Sequence, residues 1–172
     1  MLGMARFTLS WRILALFAAF LAQIEERECS QEVMHKITKD FALVLEDCKK
    51  QENVGDHIMQ DIFNFWHEEY ALVNPELGCV MLCMAGKLDL MDGDDMHHGN
   101  AHEFAKKHGA DDDLAKQLVT MIHDCEKASA SIADRCARAL ETTKCFRGKI
   151  HGLKWAPSMR VIMEEVMADM NV

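Results

Sequence analysis

The chain has 172 residues with 2 Pro, 9 Gly and 7 Cys, and 49% of it is hydrophobic. With 19 Lys+Arg against 28 Asp+Glu, its net charge is -9. That balance excludes a nucleic-acid partner, which needs clustered Lys and Arg, and disfavours an anionic membrane surface. So few Pro and Gly exclude a β-sandwich or barrel rich in tight turns.

Arg6 and Arg12 precede an apolar run at 13–22. The run is too short to span a bilayer and fits the core of a secretory signal peptide over 1–29. Removal after Cys29 leaves an even set of six cysteines, with cleavage after Ala22 as the alternative. Residues 1–29 carry three basic and three acidic residues, so the mature charge stays at -9. The mature domain is then 30–172, secreted and soluble.

Helix signs follow in order along that domain. Val33, Ile37, Phe41 and Val44 mark the first helix, and Ile58, Ile62, Phe65 and Trp66 the second. Asn74-Pro75-Glu76 opens a third, with a capping side chain, Pro at the first helical position and an acid against the dipole. His108-Gly109 closes a fourth, and Asp111-Asp112-Asp113 opens the next. That fifth helix carries an apolar stripe of Leu114, Leu118, Met121, Ile122 and Cys125. A sixth spans 134–147 and is closed by Gly148. Loops fall near 52–56, 71–74, 88–97 and 129–133, and strand-type alternation is absent. The expected class is all-α, one domain of six helices.

The mature cysteines are Cys48, Cys79, Cys83, Cys125, Cys136 and Cys145. In a secreted chain an even set reads as three disulfides. Cys79 and Cys83 share one helix face, so both must bond outward. Cys136 and Cys145 are separated by ~13.5 Å of helix rise, beyond disulfide reach. Excluding those two pairs leaves most connectivities open. No Cys-x-x-Cys knuckle supports zinc, and no metal or cofactor is expected. A domain this long does not need three staples to fold. A hollow interior, which forfeits packing energy, is a physical reason to have them.

The cysteine spacing resembles that of insect odorant-binding proteins. Six segments resemble moth pheromone-binding proteins in particular: Ser30-Gln-Glu-Val-Met34, Asn64-Phe-Trp66, His97-His-Gly-Asn-Ala101, Phe104-Ala-Lys-Lys-His-Gly-Ala110, His123-Asp-Cys-Glu-Lys127 and Trp155-Ala-Pro-Ser158. The resemblance implies a six-helix bundle, stapled by disulfides around an internal apolar ligand cavity, with a conditional C-terminal helix. It implies the pairs Cys48–Cys83, Cys79–Cys136 and Cys125–Cys145. It also implies a carrier of long-chain unsaturated alcohols, aldehydes or acetates through antennal sensillum lymph. Its partners would be a small hydrophobic pheromone and, indirectly, an olfactory receptor or neuron membrane, with a homodimer as a further partner state.

By position, the resemblance places Phe41, Phe65, Trp66, Met81, Phe104 and Phe146 on the pocket wall, and soft Met84 and Met121 fit beside them. Burying about a dozen methylenes gains roughly 0.8 kcal/mol each. Association and ordering costs remove much of that, leaving room for micromolar or tighter binding. In the family a Ser after the third framework cysteine, or an Asn before it, often binds the ligand head group. Here those positions are Ala85 and Leu82, which offer no side-chain hydrogen bond. Thr38, Arg138, Glu126 or backbone groups must take that part. Discrimination between alcohol and acetate should therefore be weaker than in Ser-bearing relatives.

His titrates between pH 5 and 8, so His97, His98 and His123 form a candidate pH switch by a cavity gate, with Asp92–Arg138 as a second latch. With all nine His charged, the net charge moves from -9 to about zero. The tail at 155–172 belongs to the same expectation. Met159, Met163, Val166, Met167 and Met170 fall on one helical face, with Glu164 and Glu165 opposite. Arg160 and Asp169 flank the stripe. Ionised carboxylates oppose burial of this helix, and acid removes that cost. The tail is expected outside at neutral pH and inside the cavity in acid.

Two other classes compete. A general odorant or fatty-acid carrier would share the fold. A small secreted lipid hydrolase would use His123-Asp124, but it lacks a Gly-rich calcium loop and a preceding Cys pair. His98 and His102 have metal spacing without a suitable third ligand, and Asp89, Asp92, Asp94 and Asp95 depart from the EF-hand pattern. No catalytic residue is expected.

Overall fold

Helix starts are set by side chains that accept the first unpaired backbone N–H groups. Asn74 accepts from Glu76 N at 3.1 Å ahead of Pro75, Asp111 from Leu114 N at 2.8 Å, and Asp134 from Ala137 N at 2.8 Å. In the computed structural model, which describes residues 3–170, these caps open three of eight helices. The order is α1 (Gly3–Leu43), α2 (Leu45–Gln51), α3 (Ile58–Phe63), α4 (Pro75–Lys87), β1 (Met91–Asp92), β2 (Asp95–Met96), α5 (His98–Lys107), α6 (Asp112–Ser129), α7 (Arg135–Leu153) and α8 (Met159–Met170). The all-α class stands, with differences in detail.

Three corrections concern element boundaries. Val44 leaves the helical region at φ -97 and ψ 0, so the first mature helix turns there and continues as α2. The 88–97 loop holds a minimal hairpin, with Met91 opposite Met96 across Gly93 at φ +64. Gly148 does not end α7. The helix runs on to Leu153 because Ile150 is fully buried, and it stops where Lys154 turns left-handed at φ 61.

Helix α7 lies at the centre. It packs against α4 on one side and α6 on the other, while α5 covers α6 and α2 covers α4. Helix α8 packs against α1 and α3. Leu77 and Val80 of α4, Leu118 and Met121 of α6, and Leu140 of α7 meet in one buried core. At the α4–α7 crossing, Gly78 lies so close to the Cys136 carbonyl that a Cβ there would overlap the carbonyl oxygen.

The disulfides are Cys48–Cys83, Cys79–Cys136 and Cys125–Cys145. They join α2 to α4, α4 to α7 and α6 to α7, and each stabilises the fold by roughly 2–4 kcal/mol. Cys29 is free and exposed. On α1 the apolar side chains of Trp11, Leu14, Phe17 and Phe20 are exposed, whereas among the described side chains the first buried ones are Ser30, Val33 and Met34. Among the described residues no helix is long and apolar enough to cross a membrane.

The buried stripe of α8 is Met159, Ile162, Met163 and Val166. Met167 is 47% exposed, so the stripe is centred nearer Ile162 than the sequence reading placed it. The Met170 side chain lies outside the described residues. Ser158, a favoured capping type, precedes Met159, the first helical residue.

Candidate ligand cavity

The helices enclose a cavity of about 890 Å³. All six expected wall residues line it: Phe41, Phe65, Trp66, Met81, Phe104 and Phe146. Ala85, Leu82, Thr38, Glu126 and Met84 line it as well, whereas Met121 is core. Phe65 and Trp66 meet edge to face at 4.9 Å between centroids, and Phe41 meets Phe104 at 6.4 Å. These edge contacts fix the ring planes and give the wall a defined shape.

The segment carrying Phe65 and Trp66 is held from outside the cavity. Arg147 on α7 donates to Phe65 O at 3.1 Å and to Tyr70 O at 2.9 Å, and Tyr70 donates to the buried Asp61 at 2.8 Å. Burial pushes the Arg147 pKa down, although nearby Glu68 opposes this. The charge is retained and the two carbonyls satisfy it. Arg147→Met removes both bonds and is expected to lower unfolding free energy by about 1.5–3 kcal/mol. Urea denaturation checks this, and an unchanged midpoint would contradict it.

Thr38 is a poor free head-group contact. Its hydroxyl donates to Met34 O at 2.7 Å and accepts from Trp66 Nε1 at 3.3 Å. Glu126 Oε1 accepts from Met96 N at 2.7 Å, which ties the hairpin to α6. Arg138 donates to Ile132 O at 3.2 Å and to Asp94 at 3.1 Å. The expected Asp92–Arg138 latch is therefore corrected. Asp94, at the far side of the hairpin turn, takes Arg138 and also Arg135, while Asp92 is exposed on β1.

At the cavity mouth the rings of His98 and His123 stand edge to face, 4.5 Å apart. Glu126 Oε2 is 3.8 Å from His98 Nε2 and 3.9 Å from His123 Nδ1. His97 is not part of this group. It caps α5, with its Nδ1 accepting from Asn100 N at 3.1 Å, and does not line the cavity. The ligand atoms of His98, His123 and Glu126 lie within 4.8 Å of one another, the closest approach to a metal set among the described residues. Tetrahedral zinc ligands sit ~3.4 Å apart for bonds of ~2.1 Å, and both Glu126 separations are wider than that spacing. His102 is turned to Asp112 at 3.1 Å and does not join His98.

Helix α8 stands beside the cavity, with Met159 alone of its described side chains on the wall. Glu165 meets His35 at 3.1 Å and Lys39 at 3.3 Å, and Lys39 also meets Asp169 at 3.0 Å. The His35 and Lys39 hydrogen bonds hold the Glu165 carboxyl below its usual range. Asp169 and then Glu165 raise the Lys39 pKa.

The sequence reading missed Asp94, Arg147, His35 and Lys39, because each acts through a partner distant in the chain. It also missed a regular stripe. Arg135, Arg138, Ala139, Thr142, Thr143 and Phe146 all line the cavity, at i, i+3, i+4, i+7, i+8 and i+11 on α7. A search for hydrophobic periodicity passes over this face because four of its six residues are polar.

The PBP/GOBP family matches residues 30–149. Pheromone-binding protein 2 of Epiphyas postvittana is 40% identical over 157 residues, covering 91% of this chain and 96% of the relative. General odorant-binding protein 2 of Heliothis virescens is 34% identical over 137 residues, covering 79% and 84%. The crystal structure of Epiphyas postvittana Pheromone Binding Protein 3 superposes with a TM-score of 0.60 at 50% identity, covering 66% of this chain and 97% of that one. These relatives are binding proteins, not enzymes. With the three disulfides and the hollow helical shell already in place, the chain belongs to the PBP/GOBP family.

Proposed function

We propose that this chain is an extracellular carrier of a hydrophobic long-chain sex pheromone: an unsaturated alcohol, aldehyde or acetate. It takes the ligand through sensillum lymph toward olfactory receptors and releases it in acid. The observation that carries this reading is the 890 Å³ cavity with its aromatic wall. That volume suits a small-molecule ligand, since such sites hold ~300–1,000 Å³. Residues 1–29 act as a leader. The exposed apolar face of α1 before Ser30 supports this, because it gains nothing from the fold.

Acid release begins at the mouth. Two imidazoles stand there in ring contact, and protonating both would set like charges side by side, which repel. Glu126, Arg135, Arg138, Asp94, Asp95 and Lys127 also line the cavity, and the one carboxylate facing both rings is Glu126. The tail acts later. Glu165 has a depressed pKa, so its contribution is fully present above its unfolded value of 4.5 and is lost as pH falls through the lower folded value. The α8 latch thus holds near pH 5 and yields below 4.5, freeing α8 to enter the cavity.

A general odorant carrier is the second reading, favoured by the 34% identity to a general odorant-binding protein. A lipid hydrolase is disfavoured, because Asp124 is drawn to Lys149 at 3.1 Å and His123 faces His98. The test is displacement of a fluorescent apolar probe from residues 30–172. Long-chain unsaturated alcohols, aldehydes or acetates are expected to displace it at pH 7, with occupancy lost by pH 4. Displacement by short volatile odorants alone would favour the second reading. Ester hydrolysis without displacement would overturn both.

A further inference from the structure

An apolar chain with one oxygen-bearing end needs at least one polar partner inside an otherwise apolar cavity, or its end group is buried unsatisfied. Ala85 and Leu82 cannot supply one. The other interior candidates are engaged: Thr38 with Met34 and Trp66, Glu126 with Met96, and Arg138 with Ile132 and Asp94. Two cavity-lining hydroxyls remain, those of Thr142 and Thr143.

Their state differs from that of the other helical threonines whose side chains are described. Thr38 and Thr120 turn their hydroxyls back onto the carbonyl four residues earlier, at 2.7 and 2.8 Å. This is one of two rotamers that a helix allows Thr. Among the described residues, the Thr142 and Thr143 hydroxyls have no protein partner. Their place on α7 is also graded. One turn before them Arg138 and Ala139 face the cavity, and one turn after them stands Phe146. The pair therefore separates the charged mouth from the aromatic interior, where an amphiphile with its tail on the aromatic wall would place its polar end.

We propose that Thr142 and Thr143 form the head-group subsite of the cavity, taking an oxygen-bearing end group on a long apolar chain. The inference rests on the carrier reading above and names the groups that give it specificity. A threonine hydroxyl rotates to donate or to accept. It accepts from an alcohol and donates to the carbonyl of an aldehyde or acetate. Two such rotors side by side serve all three end groups similarly, and none of them is gained by the matching hydrocarbon. The subsite thus separates oxygenated chains from hydrocarbons, without strongly separating one oxygenated class from another.

The experiment compares probe displacement at pH 7 by a long-chain alcohol, its acetate and the hydrocarbon of equal length. In the native chain both oxygenated ligands bind tighter than the hydrocarbon and within a few-fold of each other. In T142V/T143V, which keeps side-chain shape, the advantage of each oxygenated ligand over the hydrocarbon shrinks about three- to tenfold, and hydrocarbon affinity holds or rises. T142S/T143S keeps the hydroxyls and retains the native preference, which separates lost chemistry from altered packing. An unchanged preference in the valine variant overturns the subsite, as does a large alcohol-over-acetate preference in the native chain. If no ligand, hydrocarbon included, displaces the probe from the native chain, the carrier reading itself fails.

Discussion

Ending the chain at Ala156, so that Pro157 and α8 are absent, is expected to abolish the acid-driven loss of ligand between pH 5 and pH 4. Met159, Ile162, Met163 and Val166 bury one face of α8, and such side chains gain ~1.5–3 kcal/mol each when removed from water. Neutral-pH docking beside the cavity is thus stable, and the Lys39 ion pairs with Glu165 and Asp169, together with the His35–Glu165 hydrogen bond, fix its register on α1. Leaving that position for the cavity keeps the apolar face buried but breaks the pairs. It becomes favourable only when the carboxylates are neutral. Truncation will cost several kcal/mol of stability on this accounting, so release must be read as the fraction of neutral-pH binding retained at pH 4. The variant E165Q/D169N keeps the helix, removes both the latch and the cost of burying charge, and should move release to higher pH. Unchanged release after truncation, or an unchanged release midpoint in E165Q/D169N, would refute the tail mechanism.

Gly78→Ala is expected to be the most damaging small substitution in the core. A Cβ at 78 would overlap the Cys136 carbonyl oxygen and lie 2.9 Å from Leu140 N. Both obstacles are α7 backbone, which cannot rotate aside, so α4 and α7 must separate. That strains the neighbouring Cys79–Cys136 bridge and opens the most closely packed helix pair. The expected loss is ~4 kcal/mol or more, or a drop in Tm of about 10 °C for a chain of this length. Gly86 is the control. It lies on the same helix with nothing within 4 Å of its Cβ position, so Gly86→Ala should be neutral or stabilise by ~0.5–1 kcal/mol. Thermal unfolding of the pair checks this, and equal Tm values for the two variants would contradict it.

These two cases mark what was legible in the sequence. The caps Asn74 and Asp111 act locally, and each opens its helix as read, while Asp134, read as the first helical residue, caps α7. The aromatic wall was legible through the family resemblance; periodicity alone does not separate a cavity-facing Phe from a core Phe. Features set by distant partners were not legible. Asp92 and Asp94 look alike in sequence, and only the turn at Gly93 decides that Asp94 meets Arg138. His97 and His98 are neighbours, yet one caps α5 and the other faces His123. The Glu165 pairs reverse part of the tail expectation. They hold α8 against α1, and their hydrogen bonds keep the Glu165 carboxyl below its usual range.

The central claim is that the shell binds one apolar chain. Calorimetric titration of residues 30–172 with a long-chain unsaturated alcohol at pH 7, repeated at several temperatures, tests it most directly. The account predicts one ligand per chain, micromolar or tighter affinity, and a negative heat-capacity change from buried apolar surface. No saturable binding, or binding with no heat-capacity change, would contradict it.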